Sequence, residues 1–95
     1  MIRSVGIDFG IVGPNRARCL DEQAQLCDSL SFRCTLEGLA ALEERIFQNG
    51  ATPTIVFEPT GLAWLMMAIY LKARHPECRL VRAKTQKVAA FFIFA

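Results

Sequence analysis

Two acidic residues stand where their carboxylates could act together. Asp8 lies near the end of the apolar segment 2–9, and Glu58 ends the apolar segment 54–58. Both segments have the composition of β-strands, and the carboxyl ends of neighbouring parallel strands, about 4.8 Å apart, meet at one edge of a sheet. Carboxylates held together repel each other, and a hard cation such as Mg²⁺ or Mn²⁺ removes that repulsion. We therefore expect a metal site at Asp8 and Glu58, with two ordinary strand-end residues as the alternative.

The elements that must position these acids follow from the hydrophobic pattern. Five segments have strand patterns: 2–9, 16–20, 25–32, 54–58 and 78–82. Three segments have helical patterns, one after each of the last three strands: 36–47, 62–74 and 85–95. Thr35 is the predicted N-cap of the first helix. The second helix is apolar around almost its whole circumference, so we expect it to be heavily covered.

The connections between these elements predict their arrangement. Short links between the first three strands favour an antiparallel meander, whereas a helix between two strands indicates a right-handed parallel crossover. The simplest result is a mixed α/β fold with a five-stranded sheet in the order 3-2-1-4-5, which is the ribonuclease H-like architecture. We expect residues 1–95 to form one such domain. Asp8 and Glu58 then lie at the ends of adjacent strands.

Charge and composition narrow the possible partners. Residues 1–49 carry five arginines against seven acidic residues, a net charge of −2, whereas residues 50–95 carry six basic residues against two acidic ones, a net charge of +4. A polyanion could therefore dock on the second half, or that half could simply be a solvated basic surface. The apolar fraction of 53% excludes a disordered tail.

The expected compartment is the cytoplasm. The longest apolar stretch, 62–71, is well short of the ~20 residues that span a bilayer, and no secretory signal pattern opens the chain. The four cysteines form no C-x-x-C pair, so we expect them to be small buried hydrophobic residues under reducing conditions. We also expect His75 to be solvated at a helix end.

The turn after Glu58 offers a place for a phosphate. Thr60 is predicted to cap the second helix, and Gly61 allows another backbone to approach closely. The free N–H groups at a helix N-terminus attract anions. Thr60 and Gly61 are therefore candidate contacts to nucleic acid.

Three motifs together resemble the N-terminal domain of DEDD transposases, the insertion-sequence enzymes with a RuvC-like domain that are related to Piv-type DNA invertases. The motifs are Val5-Gly6-Ile7-Asp8, the segment Phe57-Glu58-Pro59-Thr60-Gly61 followed by Trp64, and the basic segment 82–88. They span nearly the whole chain in the order typical of that family. The E-x-T-G-x-x-W element makes the set fairly specific.

The resemblance implies DNA transposition on a ribonuclease H-like fold, with Asp8 and Glu58 as the first two catalytic, metal-binding acids. It also implies Mg²⁺ or Mn²⁺ as cofactor, DNA as partner and a guide RNA as a second candidate partner. Arg82, Lys84 and Lys87 are then expected to contact nucleic acid. The family's last two acids belong to a K-T-D-x-x-D motif that residues 1–95 do not contain. We therefore expect a truncated transposase without strand-transfer activity of its own, with an uncovered apolar tail, 91–95, that promotes self-association.

Other interpretations stay open at this stage. RuvC- and YqgF-type resolvases share the fold and the opening motif. Gly6-Ile7-Asp8-Phe9-Gly10 also resembles the first phosphate loop of actin-like ATPases and sugar kinases, although Ile11 and Val12 follow where that family has Gly-Thr. A module that binds DNA or RNA through its basic half, without catalysis, is the third class.

Overall fold

The structure, a computed structural model, describes residues 1–11 and 13–93. Its strands are β1 (Ser4–Asp8), β2 (Asn15–Leu20), β3 (Leu26–Phe32), β4 (Thr54–Phe57) and β5 (Arg79–Arg82). Its helices are α1 (Leu36–Ile46), α2 (Ala63–Arg74) and α3 (Thr85–Ile93), with a 3₁₀ turn at Gln48–Gly50 after α1. Each predicted element is present, and the boundaries differ from the predicted ones by one or two residues.

The five strands form one mixed sheet in the order β3-β2-β1-β4-β5, as the sequence predicts. β1, β2 and β3 are an antiparallel meander, whereas β4 is parallel to both β1 and β5. The central pair is β1 and β4, with Ile7 opposite Phe57. Asp8 directly follows Ile7, and Glu58 directly follows Phe57. The two acidic residues therefore lie side by side at the carboxyl ends of these strands.

The two faces of the sheet are covered by different helices. On one face, inward residues of β1 and β4 such as Ile7 and Ile55 pack with buried residues of α1 and α2 such as Leu42 and Met67. On the other face, α3 lies over β1, β2 and β4. Gly6 permits this second contact, because a Cβ at Gly6 would overlap the Phe91 side chain. The domain is therefore a three-layer arrangement with its main core on the side of α1 and α2.

The prediction that α2 is heavily covered is wrong for its outward surface. Met67 and Leu71 are fully buried, but four apolar residues on the other side, three within the helix and one just before it, are exposed: Leu65, Met66, Ile69 and Leu62. Two layers of helix and sheet can bury only the side of α2 that faces the core. The described residues provide no cover for this surface.

The predicted uncovered tail lies partly outside the described residues, which end before Phe94 and Ala95. Phe91 and Phe92 are half-buried because they pack against the sheet. Self-association through this segment stays a prediction.

The predicted capping residue is confirmed for α1 but not for α2. Thr35 caps α1 as predicted, and its side chain accepts a hydrogen bond from the Gly38 N–H at 3.0 Å. Asn49 and Gly50 end the helical region in the left-handed conformation that such stops favour. Thr60 does not cap α2, because the helix begins at Ala63 and the Thr60 hydroxyl instead donates to its neighbour, the Glu58 carbonyl.

The cysteines are free thiols. Cys19 and Cys78 are buried as predicted, whereas Cys27 is exposed because it lies in the outer strand β3. Burial is the main cause that raises the pKa of the Cys19 thiol to about 12, followed by the nearby Asp28 carboxylate. This thiol is therefore protonated at neutral pH and packs as a hydrophobic residue.

Glu43 joins α1 to the end of α2. Its carboxylate accepts hydrogen bonds from Tyr70 at 3.0 Å and from Arg74 at 2.8 Å, and it lies 2.7 Å from the His75 ring nitrogen. The His75 ring also stacks on Phe47, with centroids 3.7 Å apart. The prediction of a solvated His75 is therefore wrong, because this contact depends on residues more than 25 positions away.

We expect the replacement of Glu43 by glutamine to lower the free energy of unfolding by about 1–2 kcal/mol at neutral pH. Burial alone would raise the pKa of Glu43, but the hydrogen bonds from Arg74, His75 and Tyr70 outweigh it and lower the pKa below 4.5. A lowered folded-state pKa gives stability that is present above the unfolded-state value and is lost as the pH falls through the folded-state value. The difference between wild type and Glu43→Gln should therefore shrink below pH 4.5.

Urea unfolding followed by Trp64 fluorescence across this pH range measures that difference. Glu44→Gln is the matched control, because Glu44 is exposed on the same helix. A pH-independent difference for Glu43→Gln would contradict the assigned role of the carboxylate.

Candidate functional site

Asp8 and Glu58 line one cavity of about 250 Å³ at the carboxyl ends of β1 and β4. Asp8 is exposed and Glu58 is half-buried. Both follow residues whose side chains point to the main core, so strand alternation directs both carboxylates to the face covered by α3. Val88, Ala89 and Phe92 of α3 form the opposite wall of the cavity. The expectation that the two acids meet on one side of the sheet agrees with this geometry.

The strand ends beneath the acids are held firmly. Phe9 and Phe57 are buried and meet edge to face with ring centroids 6.0 Å apart, and Trp64 of α2 stacks on Phe57 at 5.8 Å. The Ala83 N–H also donates to the Phe57 carbonyl at 2.8 Å, which ties the end of β5 to that of β4. The backbone on both sides of the cavity is thus fixed by core packing.

Arg16 is a site residue that the sequence reasoning missed. It lies directly opposite Asp8 in the antiparallel register of β1 and β2, so both side chains are on the same face, and Arg16 lines the cavity. The register depends on the conformation of the connection 9–14, which the pattern of residues does not specify. A symmetric hairpin of the first two strands would have predicted this pairing of Asp8 with Arg16 from the sequence alone.

The other predicted contacts to nucleic acid fall into two places. Thr60 lines the cavity with the two acids. Gly61 is exposed next to it with a φ of 64°, which is a conformation that favours glycine. Arg82, Lys84 and Lys87 line a separate hollow of about 380 Å³ between the end of β5 and the first turn of α3. All three are exposed, so they form an accessible basic surface.

The donor set suits one hard cation. Mg²⁺ is commonly held by one or two carboxylates while water and substrate phosphate complete its coordination, and Asp8 and Glu58 supply that number of carboxylates. Among residues 1–11 and 13–93, no group of three or more His, Cys, Asp or Glu side chains could enclose an ion. The described residues therefore fit a single, partly hydrated ion and do not supply the ligands for a pair of ions.

Comparisons with protein-family models, with curated proteins and with solved structures found no match for this chain. Within the described part of the chain, no helix has the length and apolar character needed to span a membrane. The interpretation of the site consequently depends on its geometry and on the chemistry of its residues.

Proposed function

We propose that this chain is a metal- and DNA-binding domain of ribonuclease H-like type that acts in DNA transposition or recombination. The observation that carries the proposal is the shared cavity of Asp8 and Glu58, which follow adjacent parallel strands and point to one face. The strand order 3-2-1-4-5 and the motifs similar to those of DEDD transposases support the same interpretation.

In this proposal Asp8 and Glu58 bind Mg²⁺ or Mn²⁺. A bound ion of this kind would neutralise charge on a phosphodiester and lower the pKa of a coordinated water. Thr60 would contact the same phosphate through its hydroxyl, and Arg82, Lys84 and Lys87 would contact the DNA backbone beyond it. Because residues 1–11 and 13–93 offer only two carboxylates at the cavity, we expect cation and DNA binding without strand cleavage from the 95-residue chain.

We expect Asp8→Asn and Glu58→Gln each to weaken Mn²⁺ binding by at least about tenfold, because each removes one of two charged oxygen ligands. Free Mn²⁺ measured by electron paramagnetic resonance gives the affinity, with circular dichroism to confirm the fold. Glu77→Gln is the control with the same change in charge, because Glu77 is exposed before the start of β5, away from the cavity.

Two results would contradict the proposal. The first is wild-type Mn²⁺ affinity in both carboxylate variants. The second is Mg²⁺-dependent nicking of a supercoiled plasmid that persists in Asp8→Asn, since that activity would have to arise elsewhere in the molecule.

A nucleic-acid-binding module without a metal is the second candidate. The exposed basic hollow of Arg82, Lys84 and Lys87 favours it, because such surfaces bind phosphates without any ion. In that case a duplex oligonucleotide binds equally well with Mg²⁺ or with a chelator, and Lys84→Gln with Lys87→Gln lowers the slope of log affinity against log salt by about 1.8. Under the first proposal Mg²⁺ increases the affinity, and Asp8→Asn abolishes the increase.

A further inference from the structure

Two arginines lie beside the carboxylate cavity on the face of the sheet that α3 covers. In the register of β1 and β2, Arg16 is opposite Asp8 and Arg18 is opposite Gly6. Cross-strand partners of this kind point to the same side of a sheet. The two side chains therefore leave the same face of the sheet, the face that α3 covers, and Arg16 lines the cavity itself, whereas Arg18 lies one cross-strand pair further from it.

The ring of Phe92 in α3 makes cation–π contacts with both guanidinium groups. The Cζ atom of Arg16 is 5.2 Å from the centre of the Phe92 ring, and that of Arg18 is 5.6 Å from it. A cation at this distance is attracted to the face of an aromatic ring. The ring thus restricts two long side chains that would otherwise lose conformational freedom on binding a ligand.

The positive charge of this pair is not matched by an ion pair within the described residues. Arg45 and Arg74 both bind carboxylates, those of Asp28 and Glu43, but neither Arg16 nor Arg18 has a carboxylate within ion-pair distance there. The Nε–H of Arg18 is buried without a hydrogen-bond acceptor among the described residues. A buried N–H without an acceptor is costly, and an anion bound against Arg18 would supply one.

We propose that Arg16 and Arg18 form a phosphate subsite next to the carboxylate pair, and that Phe92 positions them. The planar guanidinium group matches phosphate geometry through paired N–H donors. This inference rests on the proposed function for its substrate, a phosphodiester of DNA. Asp8 and Glu58 repel such a group until a divalent cation neutralises them, so cation and phosphate should each increase the affinity for the other.

The test separates the two subsites of the cavity. Binding of a fluorescein-labelled duplex oligonucleotide to the 95-residue chain is measured by anisotropy with Mn²⁺ and with a chelator, and Mn²⁺ binding is measured without DNA. We expect Arg16→Gln with Arg18→Gln to weaken DNA binding by about tenfold or more and to lower the salt slope by about 1.8, because two phosphate contacts are lost. Mn²⁺ binding without DNA should be retained.

Conservative and matched variants exclude a general effect of charge or folding. Arg16→Lys keeps the charge but not the paired donors, so it should recover only part of the DNA affinity. Arg3→Gln with Arg79→Gln removes the same charge at exposed positions at the amino ends of β1 and β5, whereas the cavity lies at the carboxyl ends of the strands. This control pair should therefore reduce the DNA affinity far less.

Equal loss of DNA affinity in the Arg16/Arg18 pair and the Arg3/Arg79 pair would overturn the subsite. DNA binding that depends on Arg16 in a chain that binds no Mn²⁺ would instead support the subsite and remove the metal-dependent function. Retained Mn²⁺ binding that DNA does not strengthen would overturn the coupling between cation and phosphate.

Discussion

Replacing Phe57 with alanine is expected to lower the free energy of unfolding by about 3–5 kcal/mol, which is a large part of the about 5–15 kcal/mol that stabilises a typical domain. The Phe57 side chain is 1% exposed and contacts the rings of both Phe9 and Trp64. Its removal leaves a cavity beneath the end of β4, and the surrounding side chains can fill only part of it. The adjacent Glu58 should then lose its fixed position as well.

Urea unfolding followed by Trp64 fluorescence and by circular dichroism measures this loss. Leu62→Ala is the control, because Leu62 is 76% exposed and its truncation should change the stability by no more than about 0.5 kcal/mol. A loss below about 1 kcal/mol for Phe57→Ala would show that the ring is not packed as described.

Replacing Gly6 with valine is expected to displace α3 from the sheet. Even a single Cβ at Gly6 would overlap the ring of Phe91 and also its Cβ, and the Cβ can move only with the helix. Overpacking of this kind typically costs about 1–3 kcal/mol. Because Val88, Ala89 and Phe92 form one wall of the cavity, the wall should be lost together with the helix contact.

Limited trypsin digestion monitors the displacement through cleavage at Lys84 and Lys87, which should become faster by about the factor of 5–160 that 1–3 kcal/mol represents. Gly13→Ala is the matched control, because no atom lies within 4 Å of a Cβ at Gly13. Unchanged cleavage in Gly6→Val, with the protein still folded, would mean that α3 does not pack on Gly6.

The sheet could be predicted because local rules determine most of it. Strand alternation, the Thr35 cap and the helices between parallel strands are short-range features, and right-handed crossovers then leave few topologies. The meeting of Asp8 and Glu58 is a direct consequence of that topology. It needed no knowledge of how side chains pack across the layers.

The remaining features depend on contacts between distant segments. Arg16 is opposite Asp8 only because of the register that the 9–14 connection produces. Glu43 meets His75 because α1 and α2 are neighbours on one face of the sheet. The apolar circumference of α2 indicated burial, but sequence periodicity could not reveal that the fold covers only the side toward Met67.

The outward side of α2 affects how this domain behaves in concentrated solution more than how it folds. Met67 and Leu71 hold the helix from beneath, while Met66 and Ile69 contribute little to that attachment because half or more of each is in contact with water. Lysines at these two positions would leave the interior unchanged and would make the domain less prone to associate with other molecules. Colloidal stability can therefore be improved on this surface without altering either the sheet or the carboxylate cavity on its far side.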